Sequence, residues 1–283
     1  MREKYYILIA EGITDCSLLE AVLEKYLQFE TYDNIKDLPQ VFQKMIGKYP
    51  AETGELTRQD SPVFYHKNEI AIAVKQAGGC SNIAKKASLL VEVIDQLSEY
   101  EKFGGFLLFC DTDTENPESI RTKLKEEFEK EGFLYEADIL EAYEQKISCK
   151  LYLFPSEGCG AIEKLLLECA SKVYGELSEE ARKFKESILQ DSYDGLRHKC
   201  WAKDEKVQEF YADKVQFGAI STVLKPDRPV RFAIKDKLIK KKYKLFFDRP
   251  VSDELDLSHV TEDIVIQENE IMVNHIETVT SLM

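Results

Sequence analysis

Nowhere in the 283 residues is there a run of about 20 apolar side chains, so the sequence predicts no membrane-spanning helix. The opening stretch, MREKYYILIAEG, holds a short apolar run but no small-residue cleavage site, which argues against a signal peptide. Seven cysteines, at positions 16, 80, 110, 149, 159, 169 and 200, include no C-x-x-C pair. Several lie in apolar runs, and they read as reduced core residues of a cytoplasmic protein, not as disulfides or zinc ligands. The four histidines, His66, His198, His259 and His275, are scattered without ligand spacing. No G-x-x-x-x-G-K-[ST] phosphate loop is present, and there are no repeats or low-complexity tracts. Basic residues are also scarce: 38 Lys and Arg stand against 52 Asp and Glu, a formal net charge of −14. A free-standing nucleic-acid binder usually carries the opposite balance.

A hydrophobic content of 44% with 11% aromatics is that of a chain with a core to bury. Tyr5 to Ala10 is an unbroken apolar, β-prone run that reads as a strand buried on both faces. It ends on Glu11-Gly12, with Thr14 as the expected N-cap of the next helix and Asp15 in its first turn. Cys16 to Phe29 has helical apolar spacing. Residues 30–61 read as an insertion in the first crossover, with a short helix within Leu38–Tyr49. VFYHK and IAIAV, either side of Asn68-Glu69, form a hairpin or else the second is the core strand alone. Gly78-Gly79 turns the chain sharply, and Ser81 is expected to cap a helix from about Asn82 to Tyr100.

A second apolar run, Phe106 to Cys110, ends on Asp111 and Asp113. Pro117 opens a charged helix to about Gly132. Ile147 to Phe154 is the next strand, and Ala161 to Val173 the helix after it, with Ser156 and Glu157 on the rim and Glu163 a turn or more away. Alternating strands and helices predict an α/β layer structure with a mainly parallel sheet and right-handed crossovers. In such sheets ligands bind outside the carboxyl ends of the strands. Glu11, Asp15, Asp111 and Asp113 would therefore share one rim, where like charges raise one another's pKa unless they share protons or hold a cation. A hard cation such as Mg²⁺ suits an exposed D-x-D.

E-G-x-x-D closing a first strand and D-x-D closing a later one resemble the Toprim domain of topoisomerases, primases and the OLD (overcoming lysogenization defect) nucleases. IAIAVKQAGGCSN is similar to the strand and Gly-Gly turn those domains place second, and LYLFPSEGCGAIEKLLL to their later strand. The resemblance spans residues 4–170 in four patches. It implies a Toprim-like catalytic domain over 1–175, with 176–283 as a helical and mixed C-terminal extension. It further implies a nuclease binding Mg²⁺ or Mn²⁺ through Glu11, Asp15, Asp111, Asp113, Ser156 and Glu157. Glu11, Asp111 and Asp113 would be catalytic, together with a cation from beyond the core, for which Lys203, Lys206 and Lys214 are candidates and Lys206 is taken.

Gly78 and Gly79 are expected to face the substrate. So is the basic stretch Lys235–Lys244, through Lys240, Lys241 and Lys242. The resemblance also implies anti-phage effectors held in check by a separate ABC-type ATPase, with docking through residues 30–61 or the acidic tail after Ser252. A homodimer pooling two basic stretches is the alternative. A non-catalytic scaffold, and a primase-like or phosphatase chemistry on the same carboxylates, remain other readings. DNA and RNA are not distinguished.

Overall fold

The computed structural model describes residues 4–46, 62–154, 158–201, 205–227, 233–238, 264–267 and 270–273. The expected first strand is β1, Lys4–Ala10, and its side chains from Tyr5 onward are buried. It is buried on both faces because it lies inside the sheet, hydrogen-bonded in parallel to Ile70–Gln76 on one side and Phe103–Asp111 on the other. The latter strand pairs in parallel with Gln145–Phe154. In chain order the eight strands of this sheet are β1, β2 (Glu30–Thr31), β3 (Val63–Lys67), β4 (Ile70–Gln76), β5 (Phe103–Asp111), β6 (Leu134–Glu136), β7 (Ile139–Ala142) and β8 (Gln145–Phe154). They lie in the order β2-β3-β4-β1-β5-β8-β7-β6.

The sheet is mixed, which corrects the mainly parallel expectation at its flanks. A parallel core β4-β1-β5-β8 carries antiparallel strands on both sides. VFYHK and IAIAV do form a hairpin, β3-β4. The β6-β7-β8 meander turns at Ala137-Asp138 and Tyr143-Glu144, four non-glycine residues with φ between 48° and 63°. These pairs have the left-handed φ that two-residue hairpin loops demand.

Helices cover both faces. On one lie α1 (Ile13–Ala21), which continues as a π-helical turn over Val22–Tyr26, and α5 (Ile162–Val173). On the other lie α2 (Gln40–Ile46), α3 (Ile83–Leu97) and α4 (Pro117–Lys130). The α3 stripe of Ala84, Ala87, Leu90, Val91 and Ile94 is buried as its spacing predicts. Each large aliphatic side chain so buried contributes roughly 1.5–3 kcal/mol. Then follow α6 (Gly175–Ile188), α7 (Asp194–Cys200) and α8 (Glu205–Leu224), and finally a hairpin of β9 (Ile264–Gln267) and β10 (Glu270–Val273). Phe217 and Ile220 of α8 join the core on the α1/α5 face. Residues 215–224 are thus the second half of one core-packing helix. Of the proposed insertion, residues 30–46 form β2, a short 3-10 turn and α2, while 47–61 lie outside the described residues.

Two caps differ from expectation. Gly12, not Thr14, is the N-cap of α1, and its N–H donates to Asp15 Oδ2 at 2.9 Å. Ser81 sits inside a 3-10 turn, Cys80–Asn82, that precedes α3. Glycine is needed before that turn because Gly78 and Gly79 have φ of 80° and 122°.

Candidate metal centre

Strand β1 leads into α1 on one face of the sheet, and its neighbour β5 leads into α4 on the other. Their carboxyl ends therefore border the crevice of a topological switch point, where α/β sheets bind ligands. Glu11 and Asp111 stand at those two ends. The Asp111 N–H donates to Glu11 Oε2 at 3.3 Å. The Glu11 carbonyl accepts from Gly78 and Gly79 at 3.0 and 3.1 Å, so the Gly-Gly turn holds the same corner.

The middle residue of Asp111-Thr112-Asp113 explains the motif's shape. Thr112 is fully buried and staples the β5 end to the loop after β8. Its N–H donates to Phe154 O at 2.8 Å, and its Oγ1 accepts from the Gly160 N–H at 3.0 Å. Asp113 then takes the left-handed region with φ 51°, its N–H donating to Gly160 O at 2.7 Å. This turns Asp113 back toward the crevice rather than onward into α4.

Two groups complete the rim. Glu163, expected a turn or more away from the rim, is buried in the first turn of α5. Lys214 of α8 reaches in from beyond residue 175, its Nζ 3.4 Å from Glu163 Oε2 and 3.9 Å from Asp111 Oδ2. Asp111 Oδ1 accepts the Ile162 N–H at 3.1 Å, at the positive end of α5. Among the three lysines named from sequence, Lys214 is the one the structure brings to the rim. Lys203 and the Lys206 side chain lie outside what is described, as do Ser156, Glu157, Lys240, Lys241 and Lys242. Lys235, at the start of the basic stretch, is mostly buried and pairs with Glu20 and Glu24. Its charge is therefore spent inside the protein and not on a phosphate strip.

Five carboxylates around one lysine make a site whose electrostatics are dominated by burial. Burial, then the Asp113 charge, raises Glu11. Asp15 is pushed up to about 7 by burial first and by Glu163 second. Burial, with Asp15 and Glu163, lifts Asp111 well above the carboxylate range. Asp113 is raised too, again chiefly by burial, against the pull of Lys214. Burial of Lys214 opposes its charge, but Glu163, Asp111 and Asp113 outweigh it and raise its pKa.

The donor set fits a hard divalent cation. It consists of carboxylate oxygens, and Asp15 Oδ1 and Asp113 Oδ1 are buried without a hydrogen-bond partner. The carboxylates do not close into a cage. Among the described residues, the ligand atoms within 4.8 Å of one another are those of Glu11, Cys80 and Cys110, not of three acids. Cys80 and Cys110 form a disulfide, which corrects the expectation that all seven cysteines are reduced. The pairing was not legible in the chain, since the two lie 30 residues apart and meet only because β4 and β5 flank β1.

Beside the rim, a cleft of about 620 Å³ opens between the Asp113 and Gly160 turns and α5, α6 and α8. Its lysines are Lys164 and Lys185, the latter paired with Asp213 at 2.9 Å. No helix among the described residues is long and apolar enough to cross a membrane.

Over residues 5–248 the sequence matches the family model described as "Protein of unknown function (DUF3226)". No curated protein matches it. Among solved structures, the crystal structure of a hypothetical protein from Pyrococcus horikoshii OT3 is similar at 18% identity, with a TM-score of 0.41 and coverage of 83% of this chain and 96% of that one.

Proposed function

The chain belongs to the DUF3226 family, and we propose that it is a Mg²⁺- or Mn²⁺-dependent nuclease with a Toprim-like catalytic core, acting in the cytoplasm on DNA or RNA phosphodiesters. The observation that carries this reading is the gathering of Glu11, Asp15, Asp111, Asp113 and Glu163 with Lys214 at the switch-point crevice. The parallel core β4-β1-β5-β8, with an acid closing each of β1 and β5, supports the Toprim-like part of it.

Asp15, Asp111 and Asp113 would hold the cation, and Glu163 would set the charge around it. The bound metal would polarise the phosphoryl group and lower the pKa of an attacking water. Glu11, its carboxyl raised by burial and by Asp113, is suited to take that water's proton. Lys214, kept protonated by its acidic neighbours, is suited to meet the negative charge that grows on the phosphoryl oxygens. Thr112 fixes the Asp111–Asp113 turn so that neither carboxylate has to reorganise.

The net charge of −14 and the pairing of Lys185 with Asp213 work against unassisted capture of a polyanion. We therefore extend the proposal to a partner that delivers nucleic acid, an ABC-type ATPase in an anti-phage system, with a homodimer as the second reading. The test is calorimetric titration of Mn²⁺ into the wild type and Asp111→Ala. Binding by the wild type that the variant loses supports the site, while equal binding by both, or none by either, removes it.

A further inference from the structure

The disulfide lies directly under the acidic rim. Cys110 is the penultimate residue of β5 and is fully buried, and Cys80 is half-buried in the turn that follows Gly78-Gly79. Cys110 Sγ is 3.3 Å from Glu11 Oε2, and the three donor atoms of Glu11, Cys80 and Cys110 lie within 4.8 Å of one another. The Asp111 N–H fixes the same Glu11 oxygen at 3.3 Å, so the carboxylate is held over the sulfurs and not free to swing away.

We propose that the reduced Cys80–Cys110 pair and Glu11 form a three-ligand zinc site that the disulfide closes. Tetrahedral zinc with Zn–S near 2.3 Å and Zn–O near 2.1 Å sets ligand atoms about 3.5 Å apart, close to the Cys110–Glu11 separation. The Cα–Cα distance of 5.9 Å lets the two sulfurs part by side-chain rotation while the strands stay in place. The chemistry balances through thiol–disulfide exchange. A dithiol reductant attacks the Cys80–Cys110 bond, ends as a disulfide itself and leaves two thiols on the protein. Binding Zn²⁺ then releases the two thiol protons. Thiolates select zinc over Mg²⁺, so the site differs in ligand class from the carboxylate rim above it while sharing Glu11. The shared ligand gives zinc a way to withdraw Glu11 from the rim, a consequence that rests on the proposed nuclease reading, whereas the site itself does not.

The probe is Co²⁺, titrated without oxygen into the full chain after reduction and removal of the reductant. The exposed Cys159 and Cys200 are changed to serine to remove competing thiols. One equivalent should give thiolate-to-cobalt charge-transfer absorption that Zn²⁺ abolishes, and the oxidised chain should give none. Cys80→Ser should lose most of the absorption. Glu11→Gln should keep it but weaken Zn²⁺ binding by at least ~10-fold, since even outer-shell partners of zinc ligands are worth that much. Cys80 is half-buried, so its variant is the primary test, with circular dichroism to confirm folding. Absent absorption in the reduced chain, or undiminished absorption in folded Cys80→Ser, overturns the proposal. Because the signal arises from sulfur without nucleic acid, it reads this site and not the nuclease.

Discussion

Glu11 and Asp111 close two adjacent parallel strands and are joined directly, the Asp111 N–H donating to Glu11 Oε2 at 3.3 Å. The contact ties the Glu11 carboxylate to the backbone of the β5 end, at the point where α1 and α4 leave the sheet on opposite faces. Burial raises the pKa of both carboxyls, that of Asp111 well above the usual range, and their acidic neighbours add to it.

The first expectation concerns stability and pH. Asp15 is raised from 3.8 to about 7, chiefly by burial. A carboxyl raised on folding stabilises the protein fully below its unfolded pKa, and that contribution is lost as pH rises through the folded value. Metal-free Asp15→Asn, which keeps an acceptor for the Gly12 N–H, should therefore gain on wild type between about pH 4 and 7 and level off above that. The gain should reach on the order of a few kcal/mol at the upper end. Chemical denaturation in a chelator across that range would show it, and a gain that shrinks with pH would contradict it.

Metal should reverse the same trend. On the proposed reading Mn²⁺ would compete with protons for Asp15 and Asp111, so the melting-temperature increase it gives should be small at pH 5 and grow through pH 7 to 8. A shift independent of pH would mean that these carboxylates are not its ligands.

Lys214 separates charge balance from chemistry. Lys214→Met removes the cation 3.4 Å from Glu163 and 3.9 Å from Asp111. Mn²⁺ binding should persist or tighten, because the rim becomes more negative, while turnover falls by roughly 10²-fold or more. Lys214→Arg should recover part of the rate. Loss of metal binding in the methionine variant would place Lys214 in a structural role instead.

Much of this site could be read from the chain. Glu11, Asp111 and Asp113 follow unbroken apolar runs, and a strand-end acid is a local pattern. Glu163 and Lys214 could not be read that way, since they sit on helices, Glu163 in the first turn of α5 and Lys214 within α8, and reach the rim because α5 and α8 pack on the α1 face. Thr112 passed unnoticed because its hydrogen bonds go to Phe154 and Gly160, more than 40 residues away in sequence. The β6 and β7 strands escaped for a different reason: Ala137-Asp138 and Tyr143-Glu144 take left-handed turn conformations without the glycine that normally marks them.

The fold itself has a sharp test in β5. A Cβ on Gly105 would lie 2.5 Å from Ser148 O, at a φ of +134° that other residues avoid. Gly105→Ala should lower stability by roughly 2–4 kcal/mol. Gly175→Ala, with open space around its Cβ in the first turn of α6, should be neutral or slightly stabilising in the same urea titration. Equal effects would dissociate Gly105 from the β5–β8 packing.

The most direct measurement is cleavage of a panel of single- and double-stranded DNA and RNA with Mn²⁺, comparing wild type with Glu11→Ala. The assay is run with and without the candidate ATPase partner at physiological salt. Wild type should cleave at least one substrate, and the variant should lose roughly 10³-fold or more in rate while remaining folded. If Glu11→Ala cleaves as fast as the wild type, the rim is not the site of chemistry.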